Sequence, residues 1–102
     1  SQPNFINAVI EIKTNLNPHE LLDELQGLEK QHNRKRTKKW GPRSIDLDIL
    51  IYNRITMESK DLVIPHPGLE YREFVLIPLY EITNYGYEIP KYDRVSNLIK
   101  NL

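Results

Sequence analysis

A chain of 102 residues has room for one small domain and not for two. With 39% hydrophobic and 27% charged residues, its composition is that of a folded globular chain rather than a disordered one. Fourteen basic residues against fourteen acidic ones give a formal charge of +0, which removes any global pull toward nucleic acid or membrane; the lack of cysteine removes disulfides and thiolate metal sites and fits a reducing cytoplasm, the expected location.

Residues 5–13, Phe-Ile-Asn-Ala-Val-Ile-Glu-Ile-Lys, alternate with period two and predict a strand. Ile6, Ala8, Ile10 and Ile12 form its apolar face; Phe5, Asn7, Val9, Glu11 and Lys13 form the other. Asn7 is open to two readings: an exposed polar residue, or an amide that hydrogen-bonds a heterocycle beside the Phe5 ring. Residues 17–32 predict a helix. Asn17 suits the N-cap, Pro18 the first helical position, and Glu20 completes a capping box. Leu21, Leu22, Leu25 and Leu28 make one apolar stripe, and Gln26 and Glu29 neighbour each other on an adjoining face, where the local pattern makes them ordinary surface residues.

A loop follows over 33–44, with Arg34, Lys35, Arg36, Lys38, Lys39 and Arg43 around Trp40-Gly41-Pro42. Trp40 serves equally as a core anchor or a stacking surface. Residues 45–52, Ile-Asp-Leu-Asp-Ile-Leu-Ile-Tyr, predict a second strand. Asp46 and Asp48 then share one face, roughly 6.5 to 7 Å apart along it, while Ile45, Leu47, Ile49 and Ile51 share the opposite one. Paired carboxylates suit a hard divalent cation, and the neighbouring cations suit phosphate oxygens. Together they point to a site for a metal-bound polyphosphate; separately, Asp-x-Asp reads as the wet face of a sheet edge and the basic run as a solvated loop. No apolar stretch approaches membrane-spanning length.

Asn53-Arg54 predicts a turn into a short strand near Ile55 to Met57, a hairpin with the acidic strand. Leu62-Val63-Ile64 leads into Pro65-His66-Pro67-Gly68, where His66 is either a loop histidine without a role or an N–H donor to phosphate. A turn or short helix is expected at 69–73, then an apolar packed segment to Ile82 interrupted by Pro78. Tyr85-Gly86-Tyr87 predicts a turn, and Val95, Leu98, Ile99 and Leu102 a terminal helix. The expected architecture is one α+β domain over residues 1–102, helices packed on one face of a mixed or antiparallel sheet, with the first strand, helix and acidic strand resembling half of a ferredoxin-like sandwich.

The run Trp40-Gly41-Pro42-Arg43-Ser44-Ile45-Asp46-Leu47-Asp48-Ile49, with Pro65-His66-Pro67 and Arg72-Glu73-Phe74-Val75-Leu76-Ile77-Pro78-Leu79, resembles the 6-hydroxymethyl-7,8-dihydropterin pyrophosphokinase family of folate biosynthesis. The resemblance extends over essentially all 102 residues. It implies transfer of pyrophosphate from ATP to the hydroxymethyl oxygen of the pterin, yielding AMP and the pterin diphosphate. It makes Asp46 and Asp48 ligands of two Mg2+ ions and, with Arg34 and Arg43, the catalytic set. Arg34, Arg36, Arg43, His66 and Arg72 match the phosphate contacts, with Gln26, Glu29 and Ile49 on the nucleotide side. Phe5, Asn7, Trp40 and Phe74 match the pterin pocket. Which of Thr37, Lys38 and Lys39 joins the phosphate set stays open.

The resemblance further implies that a strand, a helix and a second strand precede the segment equivalent to Ser1 in family members. The chain is then expected to be the C-terminal two-thirds of a pyrophosphokinase domain, inactive or poorly folded alone, or completed by a second chain. The competing class is a ferredoxin-like RNA-binding module stacking bases on Phe5 and Trp40. A net charge of +0, six basic residues confined to one loop and no RNP-like aromatic block stand against it. An inactive scaffold is the third reading.

Overall fold

Asn17 and Glu20 start the longest element by capping each other. The Asn17 N–H donates to Glu20 Oε1 at 2.9 Å and the Glu20 N–H donates to Asn17 Oδ1 at 2.9 Å, the expected box, a feature that stabilises a helix by about 1 kcal/mol. The helix, α1, spans Pro18–Lys35, three residues past the expected end, in a computed structural model that describes residues 7–35, 45–84 and 86–102. Its buried arc differs from the stripe read in the sequence. Leu21 is buried and Leu22, Leu25 and Glu29 are half-buried, while Leu28 is 51% exposed. At 3.6 residues per turn, Leu21, Leu25, Glu29 and Leu22 fall within one arc of roughly 100°, and Leu28 lies just past its edge.

Residues 45–52 lie against that arc, and they do not form the expected ladder strand among the described residues. Their backbone is held by separate bonds instead. The Leu47 N–H donates to Glu29 Oε2, the His66 N–H donates to the Leu50 carbonyl at 2.9 Å, and the Ile55 N–H donates to the Tyr52 carbonyl at 3.0 Å, closing the turn in which Asn53 takes a φ of 49°. The hairpin forms one step further along. Strand β1, Met57–Glu58, pairs antiparallel with β2, Val63–Ile64, in the register Met57 opposite Ile64 and Glu58 opposite Val63. Ser59 closes the connection, its N–H donating to the Leu62 carbonyl at 2.9 Å.

The first predicted strand is corrected in the same way. Residues 7–13 belong to no helix or strand, and Phe5 and Ile6 lie outside the described residues. The face is also reversed: Ile10 is 77% exposed and Ile12 is exposed, whereas Val9, read on the polar face, packs on the core. Alternation tells that two faces differ; which one is buried depends on what lies beside it.

Gly68, at φ 75°, opens a 3-10 turn over Leu69–Tyr71, as expected for the short helical stretch. The apolar segment that follows is a regular helix, α2, Glu73–Ile82, despite Pro78 inside it. Proline removes one hydrogen bond, but Val75, Leu76 and Leu79 recur on one side and are buried, and that burial outweighs the lost bond. Gly86, at φ 84°, sits in the turn closed by the Tyr87 N–H on the Asn84 carbonyl; Tyr85 is outside the described residues. The terminal helix, α3, is Val95–Lys100. Just before it, the Asp93 carboxylate accepts the Arg94 N–H at 2.7 Å and the Asn97 amide at 3.1 Å, which together hold its pKa below the usual carboxylate range. That contribution to stability is present above the ordinary carboxylate pKa and is lost as pH falls through the lowered value.

Two cores result. Leu69, Val75, Leu76, Leu79, Ile89, Val95 and Leu98 join α2, α3 and the 3-10 turn. Leu21, Ile49, Leu62 and Ile64 join α1 to β2. Residues 49–52 are the seam: Ile49 and Tyr52 pack into the second core, Leu50 and Ile51 onto the first, and the Tyr52 hydroxyl donates to the Leu16 carbonyl at 2.6 Å. The described residues thus make an α+β arrangement of three α-helices and a two-stranded antiparallel sheet. Helices α2 and α3 pack on each other, and α1 packs on the seam and β2.

Candidate active site

Anchoring residues 49–52 in two cores leaves the start of the segment projecting. Asp46 and Asp48 are both exposed, Leu47 between them is half-buried, and Ile49 is buried. The two acids therefore stand on the wet side, as the alternation at 46–49 predicts, although no ladder holds them there. Three contacts fix this stretch. Glu29, on the arc of α1 that faces it, accepts the Leu47 N–H at 2.6 Å. His66 is brought alongside by its backbone bond to Leu50, with its ring Nε2 3.9 Å from Asp48 Oδ2, an ion pair whenever the ring carries both protons. The other ring nitrogen, Nδ1, lies 2.9 Å from the Pro67 carbonyl. A carbonyl only accepts, so Nδ1 carries the proton there, and Nε2 is the atom left facing Asp48.

A second group gathers at the start of α2. Asn7, Glu73, Phe74, Ile77 and Pro78 line one open hollow. Phe74 is exposed on it, and the Arg72 guanidinium lies over the Phe74 ring, 4.9 Å from its centre. Pro78 has no N–H to offer the Phe74 carbonyl one turn back, so that acceptor lacks its ordinary helical donor at the hollow's wall. An aromatic face with an amide side chain beside it can hold a flat, polar-edged ring by stacking and by hydrogen bonds to the edge.

Of the residues singled out in the sequence, Asp46, Asp48, Glu29 and His66 come together at the seam. Asn7 and Phe74 meet at the hollow, joined by Arg72. Gln26 is exposed on α1 with no bond to the acidic stretch. Ile49 has its side chain in the core, so only its backbone is available to a ligand. Arg34 belongs to the last turn of α1. Phe5, Arg36, Thr37, Lys38, Lys39, Trp40 and Arg43 lie outside the described residues. Reading Glu29 as an ordinary surface residue missed its bond to Leu47. The signal was available in the helix register, which sets Glu29 on the same arc as Leu21 and Leu25. The part of Glu73, Ile77 and Pro78 in the hollow had no sequence signal.

The donor set fits magnesium. Asp46 and Asp48 supply hard oxygen ligands and are open to solvent, which suits an ion that takes one or two carboxylates and fills its remaining positions with water and phosphate oxygens. Among the described residues no group of three or more His, Asp or Glu side chains is gathered that can cage a metal by itself. No helix among the described residues is long and apolar enough to cross a membrane.

Comparison with known proteins adds an independent line. The model of the 7,8-dihydro-6-hydroxymethylpterin-pyrophosphokinase (HPPK) family matches residues 1–84. The chain is similar to the 2-amino-4-hydroxy-6-hydroxymethyldihydropteridine pyrophosphokinases of Haemophilus influenzae, 42% identical over 99 residues, and Bacillus subtilis, 51% identical over 81 residues. These matches cover 97% and 79% of the chain but 61% and 48% of the relatives, so the matched part of the chain spans about half to three-fifths of their length. It is also similar to the mitochondrial folate synthesis bifunctional protein of Arabidopsis thaliana, 46% identical over 81 residues, 79% of the chain and 15% of that protein.

Proposed function

The chain belongs to the 7,8-dihydro-6-hydroxymethylpterin-pyrophosphokinase family, and on that premise we propose that it serves magnesium-dependent transfer of pyrophosphate from ATP to 6-hydroxymethyl-7,8-dihydropterin in folate biosynthesis. The hydroxymethyl oxygen attacks the β-phosphorus of ATP, the bond from that phosphorus to the α-phosphate oxygen breaks, and AMP departs. The hydroxyl proton passes to solvent and the pterin leaves as its diphosphate. The observation that carries the reading is the pair of exposed carboxylates, Asp46 and Asp48, either side of a backbone N–H that Glu29 holds, with His66 against the second of them.

Transfer of this kind depends on alignment and charge neutralisation more than on a covalent residue. Bound magnesium supplies neutralisation of the outer phosphates and polarisation of the transferred group. Asp46 and Asp48 hold it at the end of a segment rooted in both cores. Arg72 donates to phosphate oxygens, as does His66 when its Nε2 also carries a proton, and Arg34, Arg36 and Arg43 do so from the basic run, with Arg34 and Arg43 as the catalytic pair. Gln26 and the Ile49 backbone lie on the nucleotide side, and Glu29 reaches that side through the Leu47 backbone. Phe74, Phe5 and Trp40 offer ring faces to the pterin and Asn7 an amide to its edge. On this reading residues 1–102 form part of a pyrophosphokinase domain of the ferredoxin-like sandwich type, in the cytoplasm, with ATP and the pterin as partners.

Product analysis tests it. With ATP, Mg2+ and the pterin alcohol, 31P NMR is expected to show AMP and a pterin diphosphate in equal amounts, and a chelator is expected to stop both. Formation of ADP, or transfer that persists without divalent cation, overturns the proposal.

A further inference from the structure

We infer that Glu29 is a positioning residue for the two acids: its carboxylate clamps the Leu47 backbone and thereby sets the spacing and direction of Asp46 and Asp48. The inference rests on the reading of those acids as holders of a cation bound with nucleotide. Leu47 is the one residue between them, so its backbone orientation is shared by both. The bond from the Leu47 N–H to Glu29 Oε2 is 2.6 Å and half-buried, short as charge-assisted bonds are. Glu29 reaches it from α1, whose Leu21, two turns earlier on the same arc, shares the second core with Ile49, two positions past Leu47. The acidic stretch is thus referenced to a packed helix rather than to a ladder, which is absent here among the described residues.

Glu29 is not a third ligand in this arrangement. Among the described residues, no three acidic or histidine side chains are grouped for a metal. What Glu29 supplies is an acceptor at a fixed place, and an amide oxygen supplies that as well. Supporting groups that orient metal ligands typically change metal affinity 10- to 100-fold when removed.

The test uses the protein with Glu29→Ala and Glu29→Gln, Mn2+ with α,β-methylene-ATP as probe, binding read by electron paramagnetic resonance, and exchange of the Leu47 amide read by NMR. Glu29→Ala is expected to speed Leu47 exchange and to weaken Mn2+-nucleotide binding about 10-fold or more. Glu29→Gln is expected to keep both within about threefold of the parent, because its side-chain oxygen still accepts the bond. Should Glu29→Ala fail to fold, Glu29→Asp, which withdraws the carboxylate by one methylene, takes its place with the same expected loss. Equal weakening by the alanine and glutamine variants makes the charge itself the active feature and overturns the inference. So does faster Leu47 exchange with unchanged binding, which leaves Glu29 a tether only. So does a Leu47 amide that exchanges as fast in the parent as in the alanine variant. A parent chain that binds no Mn2+-nucleotide overturns the underlying reading of the acids together with the inference, an outcome distinct from the first three.

Discussion

Replacing Asp48 with alanine is expected to lower kcat/KM for MgATP-dependent AMP formation by about 10³-fold while leaving pterin affinity within about twofold. The size follows from removing a preorganised group that holds charge where charge develops, an effect worth two to three orders of magnitude for a single donor and more where a metal position is lost. Asp48 is the sharper target of the pair because it is also the acid that His66 faces, at 3.9 Å. On the proposed reading, alanine then removes a metal ligand and the partner of a phosphate donor at one stroke. Pterin affinity is spared because Asn7 and Phe74 line a hollow to which Asp48 does not contribute. Separate titrations of nucleotide and pterin, with steady-state rates, check both halves. Turnover within tenfold of the parent contradicts the assignment.

Leu76→Ala is expected to cost about 3 kcal/mol of stability. Leu76 is 0% exposed at the centre of the first core, packed in α2 against α3, and buried leucine-to-alanine changes cost about 2 to 5 kcal/mol through lost transfer energy and the cavity left behind. For a domain of about this size, each kcal/mol lowers Tm by roughly 4 to 8 °C. Urea unfolding is expected to show a lower midpoint with an unchanged m-value. A loss under about 1 kcal/mol shows that this core is not close-packed around Leu76. Exposed Leu28, by contrast, belongs to no core cluster, and its replacement by alanine is expected to change stability little.

How far the fold is legible in the sequence follows from how local each signal is. The capping box of α1, the 3-10 turn after Gly68, the turn at Asn53 and the helix α3 depend on residues a few positions apart, and each forms where the sequence places it. Residues 7–13 fail because a strand exists only with a partner, and the buried face is set by the neighbour, here the first core, which takes Val9 and leaves Ile10 out. Pro78 misleads in the opposite direction: a local rule against helix yields to the burial of Val75, Leu76 and Leu79. The acid pair at 46 and 48 is legible because Leu47 and Ile49 turn inward and leave the acids on the wet side, although Ile45, expected on the inward face, is exposed. The bond from Leu47 to Glu29 spans 18 positions: the helix register sets Glu29 on the arc of Leu21 and Leu25, but that this arc meets Leu47 is a tertiary fact. Likewise the nearness of Asn7 to Phe74 arises only from packing.

The proposed function requires Asp46 and Asp48 to hold the cations that carry a nucleotide's outer phosphates. Titrating the isotopically labelled protein with Mn2+ and α,β-methylene-ATP tests this most directly, since the paramagnetic ion broadens the amide signals nearest to it. Broadening is expected to centre on residues 45–49 and His66 and to be lost in Asp48→Ala. Broadening centred on the exposed acids Asp23 and Glu24 of α1, with the signals of Asp46 and Asp48 left sharp, contradicts the proposed function.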